Sequence, residues 1–180
     1  MSNAVAKDYD VFISYKSQER EEAYHIKRFL EANGLTCWMD VEKIRISENY
    51  KVIITSIMAK CRGMILLLSY SSQQSIEVRN EFLWARESGL DIYPLKIKRC
   101  KLNPEYEEWL RTTQTALFYW KSERMKQRDL RTIRDLIYQR KGEPVKTEEE
   151  FRNQRIAYYK KCLRPLMDEN LRKMAKLSLG

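Results

Sequence analysis

The run Met64-Ile-Leu-Leu-Leu68 has five apolar residues in succession and no polar alternation. A strand with one face in water alternates apolar and polar side chains, because successive residues point to opposite faces. An unbroken apolar run is what a strand needs when both faces are covered, and that is the usual setting of a parallel sheet with helices above and below. The flanking sequence has the same logic. Residues 10–14, Asp-Val-Phe-Ile-Ser, are apolar β-formers cut off by a polar Tyr-Lys-Ser turn, and residues 35–39 and 91–97 are further short β-like segments. Between them lie segments of helical period. Ala23, Ile26, Phe29 and Leu30 recur at helical spacing over 18–33, where Asn33-Gly34 supplies a stop. Ile53, Ile54, Ile57 and Met58 do so over 50–61, and a helix from the polar loop 69–75 to Ser88 closes on Gly89.

Downstream, the pattern predicts a short helix over 104–110, a fifth strand over 116–120, a helix over 125–140 and a long helix over 147–177. Thr147 and Glu150 are spaced as a capping box at its start, and Pro165 is expected to break or kink it. Strands and helices that alternate with short connections imply right-handed crossovers and an α/β domain with helices on both faces. Five strands imply a flavodoxin-like sheet of order 2-1-3-4-5. Its order reverses between the first and third strands, so ligands are expected at the carboxyl ends of those two, beside residues 15–18 and 69–75. The expected organisation is a tag or disordered N-terminus at 1–8, one α/β domain at 9–142 and a C-terminal helical extension at 143–180. Ser2-Asn3-Ala4 has the look of a cloning remnant.

Several function classes drop out. Neither GxGxxG nor GxxxxGK[ST] occurs, which removes the dinucleotide fold of dehydrogenases and the P-loop. Cys37, Cys61, Cys100 and Cys162 form no CxxC pair and His25 is the single histidine, so neither a metal site nor a Ser/His/Asp set is expected. The cysteines read as reduced thiols of a cytoplasmic protein. No apolar run approaches the roughly 20 residues of a membrane span, and no membrane partner is expected. The formal charge of +9 sits in the tail: residues 121–180 hold 17 Lys and Arg against 9 Asp and Glu. Spread through amphipathic helices, such charge is usually a solvated face, and without a recognisable nucleic-acid module a nucleic-acid partner is not expected.

Three segments carry a resemblance. Asp10-Val-Phe-Ile-Ser-Tyr15, Cys37-Trp-Met-Asp-Val-Glu-Lys-Ile44 and Ser75-Ile-Glu-Val-Arg-Asn-Glu-Phe82, with Ile92-Tyr-Pro-Leu95, resemble the successive motifs of Toll/interleukin-1 receptor (TIR) domains over residues 9 to about 140. Their wording is similar to NAD-cleaving animal members and to bacterial members. TIR domains are either adaptors that self-associate or enzymes that cleave NAD+ at the nicotinamide glycosidic bond, sometimes cyclising the ADP-ribose. The resemblance therefore implies NAD+ as substrate with no separate cofactor, and a role in immune, anti-phage signalling. It implies Glu81 as the catalytic carboxylate, suited to an oxocarbenium-like transition state. Ser14, Tyr15, Lys16, Ser17, Trp38, Asp40, Glu42, Ser71 and Glu77 are the implied substrate-binding positions. The loop 41–49 corresponds to the family's BB loop, through which TIR domains gate the site and self-associate. Two departures stand out: Glu77 replaces a tryptophan common in enzymatic members, and Ser47 and Asn49 replace a glycine and an aromatic. A non-catalytic TIR scaffold acting by self-association is the alternative.

Overall fold

The computed structural model describes residues 7–39 and 50–177. Its strands are β1 Tyr9–Ser14, β2 Cys37–Met39, β3 Cys61–Leu68, β4 Asp91–Lys96 and β5 Phe118–Tyr119. The helices are α1 Arg20–Ala32, α2 Tyr50–Ala59, α3 Tyr70–Gln73, α4 Ile76–Glu87, α5 Pro104–Thr113, α6 Glu123–Lys141 and α7 Glu148–Leu177, and a 3₁₀ turn Ser17–Glu19 precedes α1. All strand pairs are parallel, in the order β2-β1-β3-β4-β5. The fold class and strand order are those expected.

Side-chain alternation divides the core into two layers. Val11 and Ile13 of β1 and Ile65 and Leu67 of β3 face α1 and α6, where Ile26, Leu30, Leu130 and Ile133 complete the layer. Phe12, Met64, Leu66 and Leu68 face the other way, onto Ile54, Met58, Val78, Phe82 and Trp109 of α2, α4 and α5. Both faces of β3 are dry, which is why its apolar run lacks alternation.

Several boundaries differ from expectation for local reasons. The third strand starts at Cys61 rather than Met64, because Cys61 and Gly63 already pair with Tyr9 and Val11, so α2 stops at Ala59. The loop 69–75 contains α3, closed by a capping box in which the Ser69 hydroxyl accepts from the Ser72 amide and the Ser72 hydroxyl accepts from the Ser69 amide. The fifth strand keeps only Phe118 and Tyr119 of the expected five residues. Lys7 and Asp8, assigned to the N-terminal leader, are anchored: the Lys7 ammonium donates to the carbonyls of Ala59 and Cys61, and the Asp8 amide to that of Lys60. The remainder of that leader, residues 1–6, lies outside the described residues.

The C-terminal extension is docked on the domain. Phe151 is fully buried, edge-on to Tyr138 with centroids 5.6 Å apart and under the Arg134 guanidinium at 3.6 Å. Arg134, only 2% exposed, donates to Glu148 at 2.6 Å and to Asp135 at 2.8 Å. Arg155 reaches the side-chain oxygen of Asn33 at 2.9 Å, and the Tyr158 hydroxyl donates to Glu31 at 3.1 Å. The Thr147–Glu150 capping box forms as expected. α7 then runs through Pro165 without the expected break. Pro165 costs the Lys161 carbonyl its helical donor, but this stretch is exposed and water can take the donor's place.

Candidate functional site

Parallel strands leave a crevice at their carboxyl ends where the strand order reverses, here between β1 and β3. β1 delivers Ser14 to that edge on the face turned toward α4. Ser75 caps α4 by accepting a hydrogen bond from the Val78 amide, which fixes the start of the helix and therefore the rotation of its side chains. The result is a contact between the two elements: the Ser14 hydroxyl donates to Oε2 of Glu81 at 2.6 Å, with both residues buried. Hydroxyl-to-carboxylate bonds of this length are charge-assisted and strongly orienting.

Glu81 is 4% exposed and borders a cavity of about 250 Å3 between α2 and α4. Ile54, Met58, Ile76 and Trp84 supply its apolar walls, and Thr55, Glu77 and Asn80 its polar rim. Residues 77, 80, 81 and 84 share one helical face by spacing, so a single helix brings the carboxylate, an amide and an indole to one opening. A carboxylate beside a largely apolar cavity attracts cationic or positively polarised groups more strongly than it would in water.

The rim is organised by a second cluster. Lys16 lies 3.5 Å from Glu77, and the Ser75 hydroxyl donates to the same carboxylate at 2.6 Å. That hydroxyl, the residue's own backbone N–H and the Lys16 charge together hold the Glu77 carboxyl below the usual range, against partial burial. The two glutamates one turn apart therefore have different partners: Glu77 faces a lysine at the surface and Glu81 a serine beneath it.

Of the other sequence-derived site residues, Ser17 opens the 3₁₀ turn and Lys16 precedes it, both half-buried at the crevice. Tyr15 is buried in the α1-side core layer and does not border the cavity beside Glu81. Trp38 stacks on Phe12 at 5.2 Å with an interplanar angle of 13°, so its ring closes the α2–α4 layer beneath the end of β2. Ser71 is tied to Glu19, a fully buried carboxylate whose Oε1 takes both the Ser69 and Ser71 hydroxyls. Asp40 and Glu42, like the whole loop 40–49, lie outside the described residues.

Sequence reasoning missed Asn80, Trp84, Thr55 and Glu19. The first two had a signal, the helical spacing from Glu81. Glu19 had none, because acids at the start of a helix are ordinary. Among the described residues no helix is long and apolar enough to cross a membrane.

Comparison with known proteins agrees with this architecture. The TIR domain family model matches residues 11–135, more than half the chain. The TIR domain of the Toll-related receptor TRR-2 from Hydra magnipapillata superposes with a TM-score of 0.59 at 16% identity, covering 72% of this chain and 98% of that one. A metazoan TIR-STING receptor from C. gigas, solved in complex with 2',3'-cGAMP, superposes with a TM-score of 0.51 at 20% identity. That likeness covers 95% of this chain but 52% of the receptor, so the chain spans about half of the receptor's length. No curated protein matches the sequence. The chain belongs to the TIR domain family.

Proposed function

We propose that this TIR domain is an NAD+ glycohydrolase or ADP-ribosyl cyclase with Glu81 as its catalytic carboxylate. One observation carries the reading: Glu81, hydrogen-bonded to Ser14 at the end of β1, borders a mostly apolar, partly open cavity between α2 and α4. In the reaction the bond between C1′ of the ribose and the pyridinium nitrogen breaks, its electron pair leaves with nicotinamide, and positive charge develops on the sugar. A fixed carboxylate beside that carbon stabilises the charge. Water adding at C1′ and losing a proton gives ADP-ribose; a nucleophilic adenine nitrogen adding there gives a cyclic ADP-ribose. The apolar walls suit the departing neutral base, and Lys16, a flexible point charge at the rim, suits the diphosphate.

The product serves as a signal, or NAD+ loss itself does, in immune and anti-phage defence in the cytoplasm, with self-association through TIR surfaces including the BB loop. The purified protein incubated with NAD+ releases nicotinamide, and mass spectrometry assigns the second product as linear or cyclic. Glu81→Gln abolishes release while the fold persists. Absence of nicotinamide at high protein concentration, or release unchanged in Glu81→Gln and Glu81→Ala, refutes the assignment.

A second reading is a non-catalytic TIR scaffold. It is favoured by the pairing of Glu77 with Lys16 and Ser75, and by the exposed apolar side chains of Val52 and Ile76 on α2 and α4. Its signature is a Glu81→Ala variant that assembles, by light scattering, and signals as the parent does.

A further inference from the structure

A second concave surface lies on the same carboxyl edge, farther along the sheet, where β4 ends and the chain turns toward α5. It is a cavity of about 500 Å3 bordered by Tyr70, Arg99, Cys100, Lys101, Leu102, Asn103 and Pro104. No acidic side chain borders it. Neither Arg99 nor Lys101 forms an ion pair with another described residue, whereas the adjacent Lys98 is matched by Glu22 at 3.7 Å and Glu105 is matched by Arg79 at 2.8 Å. The Tyr70 ring stands at the rim and is 75% exposed, so it is accessible to a planar partner.

The positive field continues beyond the cavity. Lys96, at the end of β4, acts electrostatically on the Cys100 thiol and sits 4.8 Å from the centre of the Tyr119 ring. Lys121 lies over the same ring at 5.1 Å. Two ammonium groups are thus within about 10 Å of one another, about one Debye length at 0.1 M salt, with no carboxylate of the described residues paired to either. Like charges held this close by a folded edge are stabilised by a bound anion.

The surface is also built to keep its shape. Gln73, 6% exposed, donates to the carbonyls of Ser69 and Lys101 and accepts from the Asn103 amide at 2.7 Å, while the Asn103 side chain donates to the Gln73 carbonyl. One buried glutamine therefore fixes α3, which carries Tyr70, against the loop that carries Arg99 and Lys101.

We propose that this edge, formed by Tyr70, Arg99 and Lys101, with Lys96 near Cys100 and Lys121 farther along on β5's side, is a binding site for a nucleoside phosphate, separate from the Glu81 cavity. The base stacks on Tyr70 and the phosphates meet the guanidinium and ammonium groups, the combination of ring and cation by which proteins hold nucleotides without reading their sequence. Its ligand is either a free nucleotide or a nucleotide within a single strand, which share this chemistry.

Calorimetric titration of the full chain with ADP and with a short oligothymidylate tests the site and distinguishes the sources. Binding of either probe is expected, weakening as salt rises. Arg99→Glu and Lys101→Glu each lower the affinity by about tenfold or more, and Tyr70→Ala by about fivefold or more. Glu81→Gln leaves it unchanged, which separates this site from the catalytic proposal. The tighter probe identifies the source. These side chains are solvent-facing or at a rim, so circular dichroism of the variants should match the parent. Failure of both probes to bind, or binding indifferent to all three edge substitutions, overturns the proposal whatever the outcome of the NAD+ assay.

Discussion

Truncating Phe151 to alanine tests whether the helix after the family segment belongs to the folded unit. The ring is fully buried, in edge contact with Tyr138 and capped by the Arg134 guanidinium at 3.6 Å. Removing it loses the transfer free energy of the ring and leaves a void that the long α6 and α7 helices close only in part. Phenylalanine-to-alanine changes of this kind cost about 3–5 kcal/mol. The guanidinium also loses its aromatic face while remaining held by Glu148 and Asp135, so the loss is one of packing rather than of an orphaned charge. With a urea slope of about 2–3 kcal/mol per molar for a chain of this size, the denaturation midpoint falls by roughly 1–2.5 M. If α7 detaches before that cost is fully transmitted, the amides of α7 and of the Glu31–Thr36 segment exchange faster instead, since Arg155 bonds Asn33 and Tyr158 bonds Glu31 only while the helix is docked. A midpoint within about 0.3 M of the parent, together with unchanged exchange in both segments, would refute the reasoning and make α7 a passenger.

Two more outcomes follow from single contacts. Ser14→Ala removes the 2.6 Å donor to the buried Glu81 carboxylate; in the proposed NAD+ reaction a lost hydrogen bond of about 1.5–3 kcal/mol lowers kcat about 10- to 100-fold with little change in KM, and an unaltered kcat would dismiss Ser14 as an orienting group. Burial, aided by the Lys126 and Arg28 charges against that of Glu123, pushes the His25 imidazole below its ordinary value. The unfolded chain therefore takes up a proton near pH 6.5 that the folded one resists, so stability falls as pH drops from about 6.5 toward the folded value and is recovered above it. His25→Gln flattens that part of the urea-midpoint profile, and an identical slope in the variant would exclude His25 as its source.

Much of the architecture was legible because it rests on periodicity and on strong stops. The unalternated Met64–Leu68 run required a sheet covered on both faces, Asn33-Gly34 ended α1, and the Thr147–Glu150 spacing set the start of α7. Boundaries failed where tertiary pairing overrode local pattern, as at Cys61 and Gly63, whose polar neighbour Arg62 hides a strand that exists because β1 and β4 flank it. Short hydrogen-bonded structure within a polar loop, such as α3, leaves almost no hydrophobic signal. At the site, motif and topology together marked the end of β1 and the helix after β3, the two elements that the Ser14–Glu81 hydrogen bond joins. The packing contacts of Tyr15 and Trp38 were not legible, since aromatic residues at strand ends serve cores and ligands alike. Glu19 was invisible because its partners Ser69 and Ser71 are 50 and 52 residues away in the chain.

Gly34 shows how the extension constrains the domain it covers. Its φ of +85° already favours glycine, but asparagine commonly tolerates such a corner. Here a β-carbon would fall 1.9 Å from the amide nitrogen of Gln154 on α7. The bare backbone at this turn is thus a seat for a helix contributed from 120 residues downstream in the numbering. With α7 in place the Gln154 side chain must swing aside for any residue larger than glycine, and without α7 the Tyr138 hydroxyl of α6, 3.0 Å from the same β-carbon, still has to give. Glycine at position 34 thus serves two ends at once, the backbone angle of the corner and the room into which the Gln154 side chain of the docked helix reaches.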